Sequence, residues 1–117
     1  MGQPVVHFEI GCRDLEKSAQ FYQEAFGWSM NPMPGSGKLI STGSETGIQG
    51  HITSLGHEPH NYSNFYVMVD NLEEHLAKIG GLGGKTIVPP VEMGPGRFAW
   101  FADPEGTPLG LWEVKKG

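Results

Sequence analysis

Cysteine is nearly missing from this chain. Cys12 stands alone, so no intrachain disulfide can form, and the plain expectation is a cytoplasmic protein. Basic residues are also scarce. Eight Lys and Arg against thirteen Asp and Glu leave a formal charge of -5, and no basic run or patch appears. Nucleic acid is therefore not an expected partner. No apolar stretch approaches membrane-spanning length, so no membrane partner is expected either. Met1-Gly2-Gln3-Pro4-Val5-Val6 lacks the basic and apolar regions of a signal peptide, and Val6 removes the Ser or Thr of a myristoylation motif. A phosphate-cradling glycine loop is missing too, because Gly80-Gly81-Leu82-Gly83-Gly84 follows a helical pattern instead of opening one.

What is present is enough for one core. The 117 residues are 38% apolar, with aromatics spread along the length, which fits a single globular domain over residues 1–117. The pattern along the chain repeats. Val5 to Ile10 alternates like a strand, Asp14 can cap a helix, and Leu15, Ala19, Tyr22 and Phe26 follow at helical spacing before Gly27. Three strand-like stretches come next: Trp28 to Met33, Lys38 to Thr42, and Ile48 to Ile52. The pattern then restarts. Asn64 to Val69 reads as a strand, and Asn71 with Glu74 forms a capping box. Leu72, Leu76 and Ile79 mark the buried face of a second helix. Lys85 to Val88 is a strand broken by Pro89-Pro90, and Arg97 to Ala102 is another. Asp103-Pro104-Glu105-Gly106 is a type I turn, and Leu109 to Glu113 closes the set. This predicts an α+β chain of two tandem βαβββ modules, about residues 4–52 and 64–115, joined by a linker over 53–63. The helices fall near residues 14–26 and 72–82. An internal repeat of this kind constrains the fold more than any single motif does.

Several stretches carry a family resemblance. His7-Phe8-Glu9-Ile10, then Asp14-Leu15-Glu16-Lys17-Ser18-Ala19-Gln20-Phe21-Tyr22, then Phe26-Gly27-Trp28, resembles the opening of a glyoxalase/bleomycin-resistance/dioxygenase domain of the vicinal oxygen chelate superfamily. Val69-Asp70-Asn71-Leu72, Gly83-Gly84-Lys85 and Asp103-Pro104-Glu105-Gly106 resemble the matching second module. The resemblance implies a cupped mixed sheet built from the two modules, commonly completed or buttressed by a second copy, so a homodimer is expected. It also implies a small-molecule pocket in the cup. Enzymes of the family hold a divalent metal there, and substrate oxygens chelate it. Their reactions include hemithioacetal isomerisation, extradiol ring cleavage and epimerisation. Other members bind a toxic drug and catalyse nothing.

The resemblance places metal ligands on the first and last strands of each module. His7 fits the first position, and alternation around Ile48 and Ile52 sends Gln49 and His51 into the cup. In the second module the counterpart of His7 is Asn64, a weak neutral ligand, and the usual carboxylate position falls on Gly110. Glu113 should point to the opposite face. The family's four-ligand set is thus expected to be incomplete. A metal (zinc, nickel, iron or manganese) would have to use His7, His51 and a further oxygen such as Glu9. Glu9 beside His7 could act as base and orienter, or simply hold the strand. Asn64, Tyr66, Arg97 and Trp112 are expected to join Gln49 in lining the cup, Arg97 either gripping a carboxylate or phosphate or facing solvent. Phe21, Tyr22, Phe26, Phe98 and Trp100 read as core. Two functions from different classes follow: a protein that binds a small oxygen-bearing ligand in the cup as a metal-assisted lyase or oxygenase, and a metal-independent protein that binds a small molecule such as a drug or toxin, or senses a ligand.

Overall fold

Side-chain caps decide where both helices start. In the computed structural model, which describes residues 2–114, Asp14 Oδ1 accepts the backbone N–H of Lys17 at 3.0 Å, and Asn71 Oδ1 accepts that of Glu74 at 2.9 Å. The helices α1 (Leu15–Phe26) and α2 (Leu72–Gly81) follow these caps. The strands are β1 (Val5–Gly11), β2 (Ser29–Pro32), β3 (Gly37–Ser41), β4 (Gln49–Thr53), β5 (Tyr62–Met68), β6 (Lys85–Met93), β7 (Gly96–Ala102) and β8 (Pro108–Val114). This is an α+β chain with two βαβββ modules, as the repeat predicts. The expected module end at residue 115 lies outside the described residues. The chain divides into two compact units, residues 7–64 and residues 65–117 together with 1–6.

In the unit of residues 7–64 the strand order is β2-β3-β4-β1, with β1 parallel to β4 and antiparallel pairs elsewhere. Alternation along β1 sends Phe8 and Ile10 toward α1. There they join Cys12, Leu15, Tyr22, Trp28, Met30, Ile40 and Ile52 in one apolar cluster. Phe21 and Phe26, expected in the core, are each 61% exposed. Only one stripe of α1 faces the sheet, and Ala19 and Tyr22 occupy it. Gly27 ends the helix in the left-handed region at φ 71°, a conformation that glycine adopts without strain. Asp14→Ala is expected to cost about 0.5–2 kcal/mol by leaving the Lys17 N–H without its cap. Urea unfolding checks this, and an unchanged midpoint would contradict it.

The other unit has the order β5-β8-β7-β6, with β5 parallel to β8. Val69, Leu72, Ala99 and Leu111 are its buried centre, with Val67, Leu76, Ile79 and Phe101 packed around them. One expectation fails here: Pro89-Pro90 does not end the strand. β6 continues to Met93, with register shifts between Thr86 and Val88 and between Val88 and Val91. β6 is the edge of this sheet, where a missing N–H leaves no central ladder bond unmade.

Candidate functional site

The same alternation that buries Phe8 and Ile10 turns His7 and Glu9 to the opposite face of β1. Register with β4 pairs His7 with Gln49 and Glu9 with His51. The imidazoles meet across that register. His7 Nε2 lies 2.7 Å from His51 Nδ1, and the rings stack with centroids 5.0 Å apart. His51 Nε2 lies 3.5 Å from Glu9 Oε1. Tyr62, at the start of β5, donates its hydroxyl to Glu9 Oε2. Its ring lies where a Cβ on Gly11 would stand, so the absence of a side chain at Gly11 makes room for it. Glu9 is 3% exposed. Four residues from three strands thus form one polar line, Tyr62–Glu9–His51–His7, in which Glu9 is buried and the other three are half-buried.

Burial sets the protonation of this line. It pulls His7 down to about 4, with the neighbouring His51 adding to the effect and Glu9 opposing it. Burial likewise pulls His51 down to about 4. Both rings are neutral at pH 7. Burial pushes the Tyr62 hydroxyl far up, and the hydrogen bond and charge of Glu9 add to this, so it stays a donor. The linkage has a definite sign. An unfolded histidine titrates near 6.5, so between pH 6.5 and about 4 the unfolded chain binds protons that the folded chain does not. Stability contributed by the neutral pair is full above that window and falls as pH drops through it. Denaturant midpoints measured from pH 7 to pH 4 should decline. That part of the slope should vanish in the His7→Gln, His51→Gln double variant, and an identical slope there would refute the assignment.

The expected three-ligand metal set does not fit this arrangement. His7 approaches Nδ1 of His51, whereas Glu9 approaches Nε2, on the other side of the same ring. The lone pairs of those two nitrogens diverge, so one ion cannot meet His7, His51 and Glu9 together. Among the described residues no group of three or more His, Cys, Asp or Glu is placed to hold a metal.

The remaining expected site residues divide. Asn64 is buried on β5. Gln49 is exposed, and its amide serves the loop after β3: Oε1 accepts from Thr42 N at 2.6 Å, and Nε2 donates to Thr42 Oγ1 at 3.0 Å. In the other unit Tyr66 and Trp112 do share a face, but Arg97 is not on it. β7 pairs Arg97 with Glu113 and Ala99 with Leu111, which puts Arg97 on the α2 side. There its guanidinium donates twice to Glu73, both at 2.8 Å, and to Glu113 at 2.8 and 2.9 Å, while Glu113 Oε2 also accepts from Leu72 N at 2.9 Å. Glu113 lies on that face as expected, and Arg97 ties it to the start of α2. Phe98 and Trp100, expected as core, lie instead on the face of Tyr66, Gly110 and Trp112. Trp100 Nε1 donates to Tyr66 Oη at 2.8 Å. Tyr62 and Trp100 are the members that sequence reasoning overlooked. The signal for Tyr62 was available, because Tyr62, Asn64 and Tyr66 alternate along one strand.

Comparison with known proteins agrees with this architecture. The model of the bleomycin resistance protein-like N-terminal family matches residues 5–39. The candidate glyoxylase CFP32 of Mycobacterium tuberculosis is 27% identical over 92% of this chain and 44% of its own. The anthracycline biosynthesis protein DnrV of Streptomyces peucetius is 28% identical over 90% of this chain and 45% of its own. The chain therefore spans less than half the length of these two curated relatives. Methylmalonyl-CoA epimerase from Mycobacterium tuberculosis superposes with a TM-score of 0.70 at 14% identity, covering 96% of this chain and 88% of that one. At that identity the likeness speaks for the fold, which is glyoxalase-like. The βαβββ repeat, the match over residues 5–39 and a structural likeness over nearly the whole length converge on a glyoxalase-like fold, and in this the chain is similar to proteins of the vicinal oxygen chelate superfamily.

Proposed function

We propose that this chain binds a small oxygen-bearing molecule on the face of residues 7–64 that carries His7, Glu9 and His51, through neutral imidazoles and without a chelated divalent ion. The observation that carries this reading is the line Tyr62–Glu9–His51–His7. It holds two uncharged, half-buried rings in fixed orientation on one sheet face. Such a pair can hydrogen-bond a hydroxyl or carbonyl oxygen and can accept a proton relayed toward Glu9, whose charge offsets the imidazolium that forms. Relatives named for a glyoxylase and for anthracycline biosynthesis, and a structural neighbour named for epimerisation of a CoA ester, are compatible with an oxygen-rich small ligand.

A second reading is a metal-assisted lyase or oxygenase. One observation favours it: nitrogens of two different rings approach to 2.7 Å, within the reach of one ion. Elemental analysis after incubation with zinc, nickel, iron(II) or manganese(II) separates the two. The expected result is well under one metal per chain. Near-stoichiometric metal that His7→Ala abolishes would establish the second reading instead. We also propose a homodimer, because β2 and β6 leave sheet edges to protect. Light scattering at micromolar concentration should give twice the chain mass, and a clean monomer mass would refute it.

A further inference from the structure

We infer that the outer face of α1 is where a second copy of this chain packs, the two helices lying antiparallel across a two-fold axis; this rests on the homodimer proposed above. Ala19 points into the core, and Phe21, about 200° further round the helix, points away from it. Phe21 is 61% exposed and stands at a shallow surface groove of about 590 Å³, which it lines with Lys17, Gln20, Glu24 and Ala25. One exposed ring asks for no explanation by itself. The charges on either side of this one do.

Lys17 and Glu24 share one stripe of α1, seven residues apart. That is about 10 Å along the axis, too far for them to pair. The helix residues three and four after Lys17 are Gln20 and Phe21, and the same two precede Glu24, so α1 offers neither charge an opposite partner. Asp14, three before Lys17, is committed to the cap, and Glu24 accepts from the neutral amide of Gln20 at 2.9 Å. Both charges also oppose the dipole of their own helix. Lys17 sits in the first turn, where anions are favoured, and Glu24 in the last, where cations are. A second α1 laid antiparallel removes both conflicts. A two-fold axis between Gln20 and Phe21 sets Lys17 of each copy beside Glu24 of the other. Each charge then stands at the favourable end of the opposite helix, and Phe21 of each copy enters the groove of the other. Such self-complementarity is what a two-fold contact requires. In the two curated relatives the matched stretch is 44% and 45% of the chain, which leaves each with the length for a second unit of this size.

The test is sedimentation equilibrium of the whole chain at micromolar concentration. The wild type should be a dimer and Phe21→Glu a monomer. Lys17→Glu sets a carboxylate opposite Glu24 at both symmetry-related contacts and should raise the dimer dissociation constant about tenfold. The reversal Lys17→Glu, Glu24→Lys should recover most of that loss, because it restores both pairs. Lys17→Glu suits the dipole of its own helix, so a lost dimer does not reflect weaker folding, and circular dichroism checks this. A wild-type dimer unmoved by Phe21→Glu and Lys17→Glu overturns this face and leaves the homodimer standing, joined elsewhere. Single variants that weaken the dimer without recovery in the reversal overturn the antiparallel pairing. A wild-type monomer overturns the face and the homodimer together.

Discussion

Ile52→Ala is expected to lower the free energy of unfolding by about 2–5 kcal/mol, the usual range for truncating a large aliphatic side chain in a core. Ile52 is fully buried on β4, an interior strand between β3 and β1. Its neighbours come from both sides of the sequence: Phe8 and Ile10 from β1, Ile40 from β3, and Leu15 and Tyr22 from α1. Strands on both sides hold the backbone at this position, so the surroundings cannot collapse far into the space that alanine leaves. The cavity term therefore adds to the lost transfer energy of the removed carbons. Ile52→Val, which removes one carbon, should cost about 0.5–1.5 kcal/mol. Urea unfolding followed by circular dichroism gives both values. A loss below about 1 kcal/mol for alanine, with an unchanged denaturant slope, would mean that the sheet closes over the gap.

Gly110→Ala should have the next largest effect, about 1–3 kcal/mol, from overpacking. Gly110 pairs with Tyr66 across the parallel β5–β8 ladder, and the Tyr66 ring lies over its Cα where a Cβ would be built. Tyr66 is 5% exposed and holds the Trp100 indole N–H, so moving its ring breaks that bond as well. Tryptophan fluorescence should shift to the red as the Trp100–Tyr66 hydrogen bond breaks. The superfamily resemblance places a carboxylate at this position, and Gly110→Glu meets the same ring. Tyr66→Ala would clear the space, so Tyr66→Ala, Gly110→Glu should be less destabilised than the two single losses added together. Strict additivity would show that ring and strand do not compete for that volume.

Much of this fold could be read from short-range chemistry. Asp14 and Asn71 announce their helices because a cap is a local hydrogen bond between residues three apart. The faces of β1 and β4 follow from simple alternation, which is why His7, Glu9 and His51 fall together. What escaped depends on register between strands. The sequence alone does not say that Arg97 pairs with Glu113 and Trp100 with Gly110. A count off by one sends Arg97 to the wrong face and hides Trp100 in the core. Pro89-Pro90 misleads for a related reason: proline stops a central strand, but β6 is an edge. Tyr62 was missed because its partner Glu9 is 53 residues away, and a stretch containing Gly56 and Pro59 reads as linker.

That separation has a bearing on how a ligand can be found. His7 and His51 are 44 residues apart and Glu9 and Tyr62 are 53 apart, so their contacts exist only once non-local strand pairing is complete. A partly folded chain offers neither pair. A molecule that binds here stabilises the native state alone, by about 2.7 kcal/mol when present at a hundredfold excess over its dissociation constant. Melting shifts across a library of hydroxyl-bearing compounds therefore report occupancy of this face without any assay of turnover. The His7→Ala protein, run beside the wild type, separates hits on the imidazole pair from hits elsewhere.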